Sequence, residues 1–321
     1  MKNIKWGIIG LGHIATKFAH AIKCVDNGEL VAVASRSKEK SELFGSQFGL
    51  QPDACYGNYE DILNHPDLDA LYIALPNHLH KEWSIKALNA KKAVLCEKPS
   101  TLNTHELKEV LNAAKNNRAF YMEAMKTRFL PATRHVKQLL ADHAIGDPRL
   151  VYGDFGFKPP FDPTNRLFDQ SLGGGALLDV GVYPLAYTFD LFGKESKVFE
   201  SIQTFGETGV DLDTSVLIKS VDDVHIHLFA SIDCDSPRDY IIVGPKGTIR
   251  VPRFSNATSI TLTQGDIVTE YHYDHLVNGL EYQIYEVNEC LNNNLLESPI
   301  MSWDDSYHLM SVVDDIVNTK E

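Results

Sequence analysis

A chain of 321 residues with 44% hydrophobic and 23% charged side chains is long enough for two domains of ordinary size, each with its own core. Forty-three acidic against 30 basic residues give a net charge of -13, which opposes sequence-independent binding to nucleic acid or to an anionic membrane surface. The five cysteines are far apart and form no CxxC pair, so neither a disulfide framework nor a zinc site is expected, and reduced thiols point to the cytoplasm. No window approaches the ~18 apolar residues of a membrane helix, and the N-terminal apolar run is too broken by glycine and histidine to read as a signal peptide.

Short apolar runs at 5–10, 29–35, 70–75, 93–97 and 119–124 alternate with helical patterns at 14–25, 38–48, 80–90 and 104–116, the last opened by Thr104 as a capping residue. Runs with little polar alternation are how strands buried on both faces of a parallel sheet read. Residues 1–124 are therefore predicted to be a doubly wound α/β domain. After a helix near 132–142 the rhythm becomes alternating: "RLVYGDFGF", "SKVFESIQTFG", "DTSVLIKS", "DVHIHLFASID", "RDYIIVGPKGTIRV" and "SITLTQG". Helical patterns return at 281–292 and 303–319. Residues 125–321 thus read as an α+β domain with an open, largely antiparallel sheet. If its alternation leaves apolar residues outward, that sheet needs a cover, and a homodimer or higher homo-oligomer is expected. His225 and His227 share a strand face there, but no third ligand follows at a matching spacing, so a subunit contact is expected and no metal.

"GIIGLGHIATKF" places Gly10, Gly12 and Ala15 between a strand and a helix, the context of the dinucleotide fingerprint. Gly10 permits the tight turn, Gly12 lets the backbone approach a pyrophosphate, and the helix N-terminus at His13 and Ile14 supplies a local positive end. At the end of the second strand, where NAD enzymes present an acid to the ribose, the chain has Ser35, Arg36, Ser37 and Lys38. Hydroxyls and cations suit the 2'-phosphate of NADP better than the free hydroxyl of NAD.

Two further stretches carry candidate chemistry. In "AVLCEKPST" a buried strand runs into Glu97, Lys98 and Pro99, at the carboxyl end where open α/β sheets bind ligands. In "LGGGALLDVGVYP" three glycines precede a helical run with Asp179 and Tyr183 four residues apart, on one face. Strand-end residues Leu75, Pro76, Asn77 and His80 of "ALPNHLH" complete the crevice expected around the cofactor.

Together with "MEAMKTRFLP" and the tail "LLESPIMSWDDSYHLMSVVDDI", these motifs resemble the glucose-fructose oxidoreductase, inositol dehydrogenase and MocA family over essentially the whole chain. The nearest branch is that of the dimeric dihydrodiol dehydrogenases and NADP-dependent xylose dehydrogenases. The resemblance implies a Rossmann domain, Lys98 as the catalytic lysine, Asp179 and Tyr183 in the same site, and a cis bond between Lys98 and Pro99. Many members have histidine where this chain has Tyr183, and tyrosine selects the dihydrodiol branch; Lys126 departs from a tryptophan frequent there. The implied activity is NADP-dependent hydride transfer at a carbinol or carbonyl carbon of a sugar, polyol or trans-dihydrodiol. Tyrosine, with an ordinary pKa of about 10, needs a nearby cation to serve as a base, and Lys98 is expected to be that cation, near both Tyr183 and Asp179. Phe161, Arg166 and Phe168 in "FKPPFDPTNRLFDQ" are candidate substrate walls. The competing reading is a non-catalytic NADP-binding regulator, against which the intact set Lys98, Asp179 and Tyr183 argues.

Overall fold

The computed structural model describes residues 2–318; Thr319, included in the predicted last helix, lies outside the described residues. The chain forms two compact units, one of Met1–Ala124 with Leu276–Tyr307 and one of Met125–His275 with the segment from His308.

The first unit opens with β1 (Ile4–Ile9), α1 (His13–Ile22), β2 (Gly28–Ala34), α2 (Lys38–Phe48), β3 (Cys55–Tyr56), β4 (Ala70–Ile73), α3 (His80–Asn89), β5 (Ala93–Cys96), α4 (Thr104–Asn117) and β6 (Tyr121–Glu123). The six strands are parallel in the order β3-β2-β1-β4-β5-β6, the doubly wound arrangement expected. All residues of β4 and β5 are buried, which is why they read as unbroken apolar runs. The cap of α4 is Asn103, whose Oδ1 accepts the Glu106 N–H at 3.0 Å, while Glu106 reaches back to the Leu102 N–H at 3.1 Å. Thr104, the expected cap, is the first helical residue instead, because this reciprocal pair fixes the helix start one position earlier.

The second unit adds α5 (Pro131–Ala141), β7 (Leu150–Gly156), α6 (Val182–Phe192), β8 (Lys197–Phe205), β9 (Asp211–Lys219), β10 (His225–Ser231), β11 (Tyr240–Gly244), β12 (Gly247–Val251), β13 (Ser259–Gln264) and β14 (Ile267–His272). These eight strands order as β14-β13-β12-β11-β7-β10-β9-β8. Only the β7–β10 pair is parallel. Along β10, Ile226, Leu228 and Ala230 are buried on the side of α6, whereas His225 and His227 are exposed. "RDYIIVGPKGTIRV" is a hairpin of two strands, turning at Pro245 and Lys246.

The chain closes with α7 (Glu281–Asn292) and α8 (Trp303–Asn318). Residues 276–307, placed on sequence in the second domain, pack with the first unit instead. The reason is a set of polar ties: Asn288 Oδ1 accepts the buried Trp6 indole N–H at 2.9 Å, and its amide donates to Asn27 O at 3.0 Å. At the edge strand β6, Tyr121 N donates to Leu296 O at 3.1 Å, and the Trp303 indole donates to Tyr121 O at 3.0 Å. Among the described residues no helix is long and apolar enough to cross a membrane.

Candidate functional site

In the first unit the turn from β1 to α1 is shaped by its glycines. Gly10 has φ +89°, and a Cβ there would lie 2.4 Å from Ala74 O, so any side chain would force the strand ends apart. Gly12, the N-cap of α1, would instead point a Cβ into open space, and no side chain caps the helix. An uncapped helix N-terminus facing room for a phosphate fits a dinucleotide. Ala15 is fully buried, His13 is exposed and Ile14 half-buried at this helix start.

At the end of β2, Ser35 is buried, its hydroxyl donating to Ser37 O at 2.7 Å and accepting from Ser37 N at 3.1 Å. Its hydroxyl shapes the turn through these local bonds. Arg36 is exposed and lines a cleft of about 460 Å³ with Tyr59, Glu60, His78, Glu82 and Trp83. Burial pushes the Tyr59 hydroxyl pKa up, and the positive charge of the nearby Arg36 guanidinium opposes that rise. Both rim carboxylates are paired with Lys86, Glu82 at 2.7 Å and Glu60 at 3.0 Å.

Beyond β4, Leu75 is buried against Gly10, Pro76 is half-buried and Asn77 opens a short 3-10 turn. His80 is fully buried, with Nδ1 2.7 Å from Pro99 O and Nε2 2.8 Å from Leu75 O. It ties the two strand-end segments together from behind, so neither nitrogen is presented to a ligand. Glu97 accepts a hydrogen bond from the Tyr72 hydroxyl. Lys98 is half-buried and its bond to Pro99 is cis.

In the second unit, Gly175 has φ +116°, and a Cβ on it would meet Asp211 Oδ1 at 2.1 Å. The missing Cβ lets the buried Asp211 carboxylate accept from Leu177 N at 2.8 Å and from the Thr214 hydroxyl at 2.7 Å. Residues Leu177–Gly181 then form a π-helical turn leading into α6. Asp211→Ala is expected to leave a buried N–H and hydroxyl without this acceptor, costing about 1 to 3 kcal/mol; calorimetric unfolding should show the melting temperature falling by several degrees, and an unchanged one would mean the carboxylate is idle.

This helix start presents Asp179 and Tyr183. The Asp179 side chain is only 7% exposed, and its Oδ1 accepts from Arg166 Nη1 at 2.9 Å. Tyr183 is half-buried, its ring 5.3 Å from that of Phe155. The Arg238 guanidinium lies 5.4 Å over the Phe155 ring. Of the candidate wall residues, Arg166 joins Asp179, whereas Phe161 and Phe168 pack edge to face at 5.0 Å and line a separate cleft of about 360 Å³ with Phe205 and Leu212. Lys126 donates to Asn256 Oδ1 at 2.6 Å. Tyr59, Trp83, Phe155, Arg238 and Asp211 were not singled out by sequence; each earns its place through a contact distant in the chain, which no local pattern signals.

Comparison with known proteins identifies the family. The family described as oxidoreductase family, NAD-binding Rossmann fold matches residues 4–125, and the GFO/IDH/MocA C-terminal domain matches residues 133–250. The chain is 33% identical to trans-1,2-dihydrobenzene-1,2-diol dehydrogenase of Xenopus laevis over 97% of its length and 96% of the relative's. It is 30% identical to the Homo sapiens enzyme of that name, over 98% of this chain and 96% of the other. A 3-ketoreductase from Actinomadura kijaniata, solved in complex with TDP-benzene and NADP, superposes with a TM-score of 0.86 at 26% identity, covering 99% of this chain and 98% of its own. An aldose-aldose oxidoreductase from Caulobacter crescentus has the same fold, with a TM-score of 0.89 at 23% identity over 99% and 97% of the two chains. With both halves matched by one family and full-length relatives at this identity, the glycine turn and the Asp179–Tyr183 helix start belong to an oxidoreductase of the GFO/IDH/MocA family with an NAD-binding Rossmann fold.

Proposed function

We propose that this oxidoreductase uses NADP to move hydride to or from a carbinol or carbonyl carbon of a sugar, polyol or trans-dihydrodiol. The observation that carries the proposal is an acid-free β2 end bearing Arg36, in a chain that also keeps Asp179 and Tyr183 together on one helix start. The dihydrodiol dehydrogenases named above and the NADP-bound 3-ketoreductase support the same chemistry. When bound, the nicotinamide supplies the hydride acceptor or donor. Tyr183 exchanges the proton of the substrate oxygen, Lys98 supplies the positive charge that makes a phenol an effective base near neutral pH, and Asp179 orients the substrate. NAD is the less favoured cofactor, because no carboxylate occupies positions 35–38. Absorbance at the NADPH band, followed with aldoses, inositols and dihydrodiols, tests the proposal. Cofactor reduction with at least one of them is expected, and its absence across the panel would count against an enzyme.

The assembly we propose is a homodimer, or a larger homo-oligomer, built on the outer face of the eight-stranded sheet. Tyr152, Leu217 and Ile202 are exposed there by 48%, 42% and 67%, and the register sets Tyr152 and Leu217 on either side of His227. Burying such side chains against a second copy removes apolar surface from water. Light scattering at micromolar concentration should give at least twice the chain mass; a monomer mass would refute this assembly. Five cysteines without a disulfide suit a reducing compartment, and we place the enzyme in the cytoplasm.

A further inference from the structure

We propose that Arg166 is the specificity-determining residue of this enzyme: paired with Asp179, it reads the hydroxyl on the carbon next to the reacting carbinol. The inference rests on the proposed function, since it takes Asp179 and Tyr183 as the substrate end of the site.

The Arg166–Asp179 pair is a donor and an acceptor set side by side. Arg166 Nη1 donates to Asp179 Oδ1 at 2.9 Å, yet the arginine side chain is 46% exposed while the carboxylate is 7% exposed. A guanidinium has five N–H groups in a fixed fork, so the bond to Asp179 leaves donors on the half-exposed edge. The two oxygens of a vicinal diol lie about as far apart as two hydrogen-bonded atoms. One can donate to the carboxylate while its neighbour accepts from the guanidinium. An isolated alcohol meets only half of this pattern.

The pair is also held before any substrate arrives. Gly174 N donates to Asp169 O at 3.0 Å and Gly175 N to Leu167 O at 2.9 Å. A Cβ on Gly174 would lie 2.7 to 2.9 Å from the carbonyl oxygens of Leu167, Arg166 and Asp169. The glycine turn therefore pins the Arg166 backbone against the start of the helix that carries Asp179 and Tyr183. A donor fixed in this way loses little freedom on binding, so its contact discriminates well.

The test compares D-glucose with 2-deoxy-D-glucose, and trans-cyclohexane-1,2-diol with cyclohexanol, in the wild type, Arg166→Met and Arg166→Lys. Both kcat/KM with NADP and calorimetric binding to the NADP-loaded protein are measured. The wild type should favour each diol over its partner by about 10- to 100-fold, as for a hydrogen bond to a charged group. Arg166→Met should lose most of that ratio through a raised KM for the diol, and Arg166→Lys should restore part of it. If Arg166→Met weakens diol and single alcohol equally, the arginine only holds Asp179 in place and the inference is overturned. An unchanged ratio overturns it as well. Should no compound be turned over, the proposed function fails, and calorimetry still decides the inference, because equal binding of diol and single alcohol refutes it.

Discussion

Replacing Lys98 with methionine is expected to lower turnover by about 10²- to 10⁴-fold, the range for losing a group that takes part in proton transfer, while NADPH affinity stays close to wild type. β5 is buried at every position, and Lys98 follows two residues after its last one, at the end of the sheet where ligands of doubly wound folds bind. Methionine keeps the length and the apolar stem and removes only the charge, so packing around β5 should be little changed. The pyrophosphate contacts we assign to Gly10, Gly12 and the start of α1 do not involve the lysine, which is why binding and turnover should separate. Fluorescence titration with NADPH and steady-state kinetics on the same preparation measure both. A variant with near-normal turnover would make Lys98 structural; one that loses cofactor binding along with turnover would place it at the cofactor and away from the substrate oxygen.

What the sequence made legible follows from how each feature is encoded. The parallel sheet could be read because strands buried on both faces, such as β4 and β5, leave continuous apolar runs, and because Gly10 marks a turn that only glycine tolerates. β3 is two residues long and carries no periodic signal. β14 has no buried residue, so it lacks the alternation of a half-buried strand. The fine geometry of the candidate site was hidden for a different reason. Ser35 and His80 are polar residues at strand ends, a position that suggests ligand contact, yet burial has turned both toward backbone groups. Arg166 and Asp179 are thirteen positions apart, and only the folding of the glycine turn brings them to 2.9 Å. The return of 276–307 to the first unit depends on single side chains such as Asn288, whose amide has no periodic signature.

Arg36→Ala should reduce the preference for NADPH over NADH by roughly 10- to 100-fold, the equivalent of about 1.5 to 3 kcal/mol for a charge-assisted phosphate contact. Exposure argues for the low end of that range, since an unrestrained surface arginine loses rotamer freedom when it pairs and is screened by salt. Proximity to Tyr59 argues for the upper end, because the Arg36 charge acts on the Tyr59 hydroxyl and both residues line the same cleft. Charge in the cleft works in the same direction. Glu60 and Glu82 would repel a 2'-phosphate, but each is paired with Lys86, so Arg36 faces a rim whose negative charge is already partly balanced. The loss should come almost wholly from weaker NADPH binding, with NADH affinity unchanged, and raising the ionic strength should narrow the wild-type preference. Tyr59→Phe, which keeps the ring and removes the hydroxyl, should reproduce part of the effect without any change in net charge. Fluorescence titrations of both dinucleotides against the three proteins decide the matter: a wild type that binds NADH more tightly, or an Arg36→Ala protein that keeps the wild-type ratio, would show that the β2 end does not select the cofactor.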